Sequence, residues 1–161
     1  MSTPADADLT VRRSVVVNTS PERAFRVFTE KFGSWWPAGH HIGEAELADV
    51  VVEPFVGGRW FERGTDGSEC DWGRVLAHEP PHRLLLSWHL QADWAPDSDP
   101  ARASEIEVRF AAEADGRTRV DLEHRALHRH GDGAASISEA ISQESGWTGI
   151  LASYVAAVGA P

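Results

Sequence analysis

Two side chains stand out because burial would make them chemically potent: Glu62 in GGRWFERG and His124 in RVDLEHRA. A carboxyl or imidazole taken out of water must find a partner or change its proton affinity, so such groups on an apolar face are candidates for ligand anchoring or acid/base work. If both reach one cavity, they form the most plausible acid/base pair in the chain. A plainer reading stands beside this one, in which His124 bonds a backbone carbonyl and Glu62 pairs with an arginine such as Arg74. His124, His128, His130 and Asp132 also spell H-x3-H-x-H-x-D, and neutral imidazoles suit zinc. That segment crosses a strand end into a loop, so its ligands need not converge, and neither a metal nor another cofactor is expected. Cys70 has no second cysteine and no histidine nearby in sequence, which speaks against a nucleophilic role. Gly57-Gly58 precedes no helix and no serine lies in a nucleophile elbow, so a phosphate cradle and a hydrolase triad are not indicated.

These residues need a frame to hold them. The 161 residues suit one domain with a core of its own, expected over 9–158 after a flexible N-terminus at 1–8. A formal charge of −10 disfavours phosphate backbones and anionic membranes, and no apolar run approaches the roughly 20 residues that a spanning helix requires. The lone cysteine and the absence of a basic, then apolar, leader point to a cytoplasmic protein, monomeric or homodimeric. Seven tryptophans are many for this length; each buries a large area, so several are expected to line one core or cavity.

Valines across Leu9 to Asn18 predict a first strand, and Ser20-Pro21 then supplies a cap and a first-turn proline for a helix over Pro21 to Lys31. Phe25, Phe28 and Phe32 recur there at helical spacing, and Gly33 to Pro37 forms a turn or second short helix. Strands follow at about Ala45–Glu53, Gly58–Arg63, Cys70–His78, Arg83–Leu90, Ala103–Glu113 and Arg117–Ala126, with Gln91 to Arg102 as a long polar loop. The end is helical: Trp147, Leu151, Tyr154, Val155 and Val158 share one face, with Ser145 as the expected cap, while Ser136 to Gln143 either joins that helix or forms its own.

Alternation assigns the strand faces. Ile106, Val108 and Phe110 point inward with Glu105, Glu107 and Arg109 in water; Val120, Leu122 and His124 point inward, as do Leu84, Leu86 and Trp88. On the third strand alternation allows either Trp60 with Glu62, or Phe61, to point inward. The fourth strand is open between Trp72, Arg74 and Leu76 on one side and Asp71, Gly73 and Val75 on the other.

The order of one strand, a helical insert, six meandering strands and a closing helix predicts an α+β fold, a curved antiparallel sheet wrapped around a long C-terminal helix. SPERAF, VGGRWFERGTDG, EPPHRLLLSW, RVDLEH and GWTGIL occur in an order and spacing that resemble the START-like superfamily. Within it, the chain is similar to proteins related to the activator of the ninety-kilodalton heat-shock protein ATPase, from about Val11 to Val158. The resemblance implies the helix-grip fold, with short helices between strands one and two and a cavity between sheet and closing helix that takes a small apolar or aromatic molecule. Trp60, Trp72, Trp88, Phe110, Leu122, Trp147 and Leu151 would line it, Glu62 and His124 would fix orientation, and Trp35, Trp36 and the Gln91 to Arg102 loop would control entry, with His40 and His41 near the mouth. A co-chaperone module binding another protein is the alternative, and a cyclase- or hydrolase-type enzyme using Glu62 and His124 is a further one; fold alone does not choose among them.

Overall fold

The computed structural model describes residues 9–159; the expected flexible segment 1–8 lies outside them. Strand β1 (Val11–Val17) is followed by helices α1 (Pro21–Glu30) and α2 (Phe32–Trp35). Strands β2 (Leu47–Val52), β3 (Arg59–Gly64), β4 (Glu69–Glu79), β5 (Arg83–Trp88), β6 (Ser104–Ala112) and β7 (Thr118–Arg125) follow, and helices α3 (Ala134–Ser142) and α4 (Gly149–Val158) close the chain. All seven strands form one antiparallel sheet in the order β1-β7-β6-β5-β4-β3-β2. The chain's first two strands are therefore opposite edges, and the α1–α2 insert connects them. This is the α+β helix-grip arrangement expected from the order of elements and from the resemblance. No helix among the described residues is long and apolar enough to cross a membrane.

The local starts follow their chemistry. Ser20 Oγ accepts the Arg23 amide at 3.3 Å and Pro21 occupies the first turn, so α1 begins where its free amides can be met. Its Phe25 and Phe28 stand edge-on to Phe110 of β6, with centroids 5.2 and 5.8 Å apart. Tyr154 of α4 donates its hydroxyl to the Ala24 carbonyl at 2.7 Å, locking the closing helix to the insert.

The strand faces of β5, β6 and β7 are as alternation predicts, with Leu84, Leu86, Ile106, Val108, Val120, Leu122 and His124 all buried. Glu107 departs from expectation. It is buried on the outer face, where Arg83, Arg109 and Arg125 surround its carboxylate. Burial alone would push that carboxyl upward in pKa, but the three guanidinium groups hold it below its usual range. On β3, Trp60, Phe61 and Glu62 are all buried, because Arg59 covers the outward Phe61 ring at 4.0 Å.

Strand β4 explains why alternation left two registers open. Trp60 pairs with Gly73 but Phe61 with Asp71, so Trp72 is an extra residue; Val75 pairs with Leu86 but Ala77 with Leu85, so Leu76 is another. The bulges break the period of two, so Trp72 from one list and Val75 from the other are both buried, while Leu76 is exposed. Gly73 lies against β5 so closely that a Cβ there would sit 1.7 Å from the Ser87 carbonyl oxygen. Gly73→Ala should therefore destabilise the protein by about 1–3 kcal/mol through enforced strand displacement. A urea unfolding curve checks this, and an unchanged midpoint would contradict the close approach.

Candidate functional site

The closing helix is not continuous. After α3, Gln143 is extended (ψ 169°) and Gly146 adopts φ −88°, ψ −139°, before helical geometry resumes as α4. A Cβ at Gly146 would lie 2.2 Å from the Ile141 carbonyl, so only glycine allows the chain to double back here. Ser145 consequently caps no helix, contrary to expectation. Its backbone carbonyl accepts from His40 Nε2 at 2.7 Å, and the turn delivers Trp147 to the space between helix and sheet.

That space is a slot of about 360 Å³. Trp36, Trp72, Trp88, Trp94 and Trp147 line it with Ile42, Leu90, Ile141 and Ile150, and His40, His41, Gln143 and Ser145 add its polar atoms. The size falls within the ~300–1,000 Å³ typical of small-molecule sites, as does the apolar lining with few polar groups. The four buried tryptophans turn their indole N–H groups to protein acceptors: Trp36 to the His40 carbonyl, Trp72 to Glu62, Trp88 to the Leu90 carbonyl and Trp147 to His124. Their hydrogen bonds fix the rings and leave aromatic surface toward the slot.

Of the aromatic and aliphatic side chains expected to line the cavity or control its entry, Trp36, Trp72, Trp88 and Trp147 border the slot. The others do not. Trp35 and Trp36 part company although adjacent: the Trp35 indole donates to the Val27 carbonyl at 3.0 Å and its ring packs on Phe28, Phe32 and Tyr154, so it belongs to the core. Trp60 lies behind Trp72 and Trp88, with centroids 5.4 and 5.7 Å away. Phe110, Leu122 and Leu151 are core residues. Trp94 was indicated only as part of a loop; it reaches the slot because residues 91–103 form a strap pinned by the Leu90–Pro96 bridge. His89 is buried under that strap, donating from Nδ1 to the Asp97 carbonyl and accepting the Ser87 hydroxyl at Nε2, both at 2.8 Å.

Glu62 and His124 do not meet in the slot. Strands β3 and β7 are four places apart in the sheet, roughly 19 Å along its surface at ~4.8 Å per strand. Glu62 instead accepts the Ile42 amide at 2.6 Å, the Gly43 amide at 3.0 Å and the Trp72 indole at 2.9 Å. Arg74, its suggested partner, pairs with Asp71. Glu62 thus acts as a clamp, binding the loop that presents His40 and His41 to the wall residue Trp72. His41 Nδ1 faces the Gly43 carbonyl at 2.9 Å and must donate to it, so the neutral ring carries its lone pair on Nε2.

His124 is fully buried between Trp147 and Ser104, taking the indole N–H at Nδ1 (3.1 Å) and meeting the Ser104 hydroxyl at Nε2 (2.8 Å). His130 Nε2 contacts the same hydroxyl at 2.8 Å. The two histidines converge on a serine, and no group of three or more His, Cys, Asp or Glu among the described residues is arranged to hold a metal ion. Burial pushes His124 down to about 3, with His130 adding to the effect, and burial with Arg102 and His89 pushes His130 down to about 4. Burial and the charges of Glu62, Asp71 and Asp66 push the Cys70 thiol up, which keeps it protonated and poorly nucleophilic.

Two outcomes follow from these contacts. Glu62→Ala strands three donors, each costing about 1–3 kcal/mol when left buried and unmet, whereas Glu62→Gln keeps one acceptor oxygen. Urea melts should therefore order the proteins wild type, Glu62→Gln, Glu62→Ala from most to least stable. For the histidines, a folded pKa below the unfolded value of about 6.5 means that the unfolded chain binds more protons as acid is added. Their stabilisation is intact above pH 6.5 and falls by about 1.4 kcal/mol per pH unit for each histidine on the way down to pH 4. His124→Gln should remove one of these two slopes in stability measured against pH.

The sequence profile of Activator of Hsp90 ATPase homolog 1-like proteins matches residues 18–159. No curated protein matches significantly. Among solved structures, the anthrahydroquino-γ-pyrone synthase Txn09 is 46% identical, with 91% of this chain and 95% of that one covered and a TM-score of 0.65. CalC, a self-sacrificing resistance protein from Micromonospora echinospora, is 29% identical, with 92% and 93% covered and a TM-score of 0.62. NE0264 from Nitrosomonas europaea, at 16% identity with 97% of each chain covered and a TM-score of 0.66, shares the fold. With helix-grip topology, an internal aromatic slot and a profile match over most of its length, the chain belongs to the Activator of Hsp90 ATPase homolog 1-like family of the START-like superfamily.

Proposed function

We propose that the slot binds a planar polycyclic aromatic molecule and that the protein closes an oxygen heterocycle on it. The observation that carries the binding half is the set of five tryptophans around one 360 Å³ space, a lining that rewards flat aromatic surface. The 46% identity to a γ-pyrone synthase over nine-tenths of the chain favours the second half, which departs from the plainer carrier role.

Closing a γ-pyrone on a phenol that bears a neighbouring 1,3-diketone needs little chemistry. The phenolic oxygen attacks the distal carbonyl carbon, forming a C–O bond, and its proton passes to the carbonyl oxygen. The α-carbon then gives up a proton, a C=C bond forms, and the C–OH bond breaks as the hydroxyl takes this second proton and leaves as water. His41 is placed to manage the protons: Nδ1–H is tied to the Gly43 carbonyl, and Nε2 has no hydrogen-bond partner among the described residues. The Glu62 clamp on Ile42 and Gly43 holds the ring at the slot, and the tryptophan walls exclude competing water. Glu62 and His124 play no direct part in this scheme.

The test is closure of a 2-hydroxyaryl 1,3-diketone fused to a polycyclic ring, followed by absorbance. Wild type should accelerate it over buffer, and His41→Gln should slow it by about 10²-fold while leaving probe affinity within a few fold. No acceleration by wild type would overturn the ring-closure half and leave a binding protein.

A further inference from the structure

Trp147 forms one wall of the slot, and its indole N–H is not free to choose a partner. An indole can only donate, so His124 must accept at Nδ1 and carry its own hydrogen on Nε2. That hydrogen goes to Ser104 Oγ, whose single hydroxyl hydrogen is then available to His130 Nε2. His130 in turn carries a hydrogen on Nδ1 and donates to Gln91 Oε1 at 3.2 Å. The Gln91 amide nitrogen ends the chain on the carbonyls of His89 and Arg102, each at 3.0 Å. Every tautomer and rotor is set by the one before it. The low proton affinities of both imidazoles agree with two neutral rings.

We infer that His124 is a positioning residue for the slot: it sets the plane of Trp147 and, through Ser104, His130 and Gln91, couples that wall to the strap that carries Trp94. The inference rests on the reading that the slot binds aromatic molecules. His124 itself does not line the slot. Its ring stands edge-on to Trp88 with centroids 5.4 Å apart and 6.1 Å from Trp147, so two slot walls lean on it. Gln91 is likewise outside the slot, at the root of the strap, and Trp88 meets Trp94 edge-on at 6.5 Å. A flat ligand pressed between Trp147, Trp88 and Trp94 would therefore meet walls aligned by a buried chain that it never touches.

The experiment compares wild type, His124→Leu, His124→Gln and Gln91→Leu in the full chain, each first shown to be folded by far-UV circular dichroism. One readout is the Trp147 indole N–H resonance without ligand; the other is the Kd for 1,8-dihydroxyanthraquinone. Glutamine can accept the indole hydrogen with its oxygen and donate to Ser104 with its nitrogen, so His124→Gln should keep the resonance near its wild-type position and bind within about threefold of wild type. His124→Leu should move the resonance and weaken binding by tenfold or more, and Gln91→Leu should weaken it several-fold from outside the slot. Leucine at 124 with an unmoved resonance, or with wild-type affinity, would overturn the inference, as would a glutamine variant no better than leucine. If wild type itself fails to bind the probe, the aromatic-slot reading falls and the ligand half of the inference with it, while the resonance still decides whether His124 sets the Trp147 plane.

Discussion

A buried carboxylate that meets three N–H groups is the constraint on which the site depends. Glu62 reaches across from the third strand to the Ile42 and Gly43 amides and to the Trp72 indole, so one side chain fixes a loop, a strand bulge and an aromatic wall together. An unpaired carboxylate in this position would be costly, and each N–H bond offsets part of that cost while removing a buried donor that would otherwise be unmet. The histidines that line the slot inherit their placement from this clamp. His40 is held from the other side by the Ser145 carbonyl, which the broken helix supplies.

The opposite wall is organised by hydrogen bonds of a different kind. Trp147, His124, Ser104, His130 and Gln91 form a directional chain of neutral groups that runs from the slot to the strap. Buried neutral networks are stabilising only when each member is satisfied, and here each donor has an acceptor. The site is thus built from two separate polar devices that both act on tryptophans. Neither presents its own charge to the slot, which leaves a lining of aromatic surface and the imidazoles of His40 and His41.

Much of the frame was legible in the sequence because it follows local rules. Alternation identified the inward faces of the fifth, sixth and seventh strands, including His124, and the Ser20-Pro21 start of the first helix needs only capping chemistry. The fourth strand defeated the same rule, since bulges at Trp72 and Leu76 reset the period and no local pattern announces them. Trp35 and Trp36 could not be told apart because their difference arises at the end of a four-residue helix, where one step of rotation separates core from slot. Glu62 and His124 were recognised as buried polar groups, but their pairing depended on sheet order and curvature; four strand positions separate them, and each found partners distant in sequence. Trp94 was hidden within a segment whose composition signals only a loop.

The central claim, that the tryptophan slot takes a flat aromatic ligand, is tested most directly by following all seven indole N–H resonances during titration with 1,8-dihydroxyanthraquinone. Saturable shifts or broadening at Trp36, Trp72, Trp88, Trp94 and Trp147, with Trp35 and Trp60 little changed, are the predicted result. Saturation with the largest changes at Trp35 and Trp60, or no saturable change at any indole, would contradict the account.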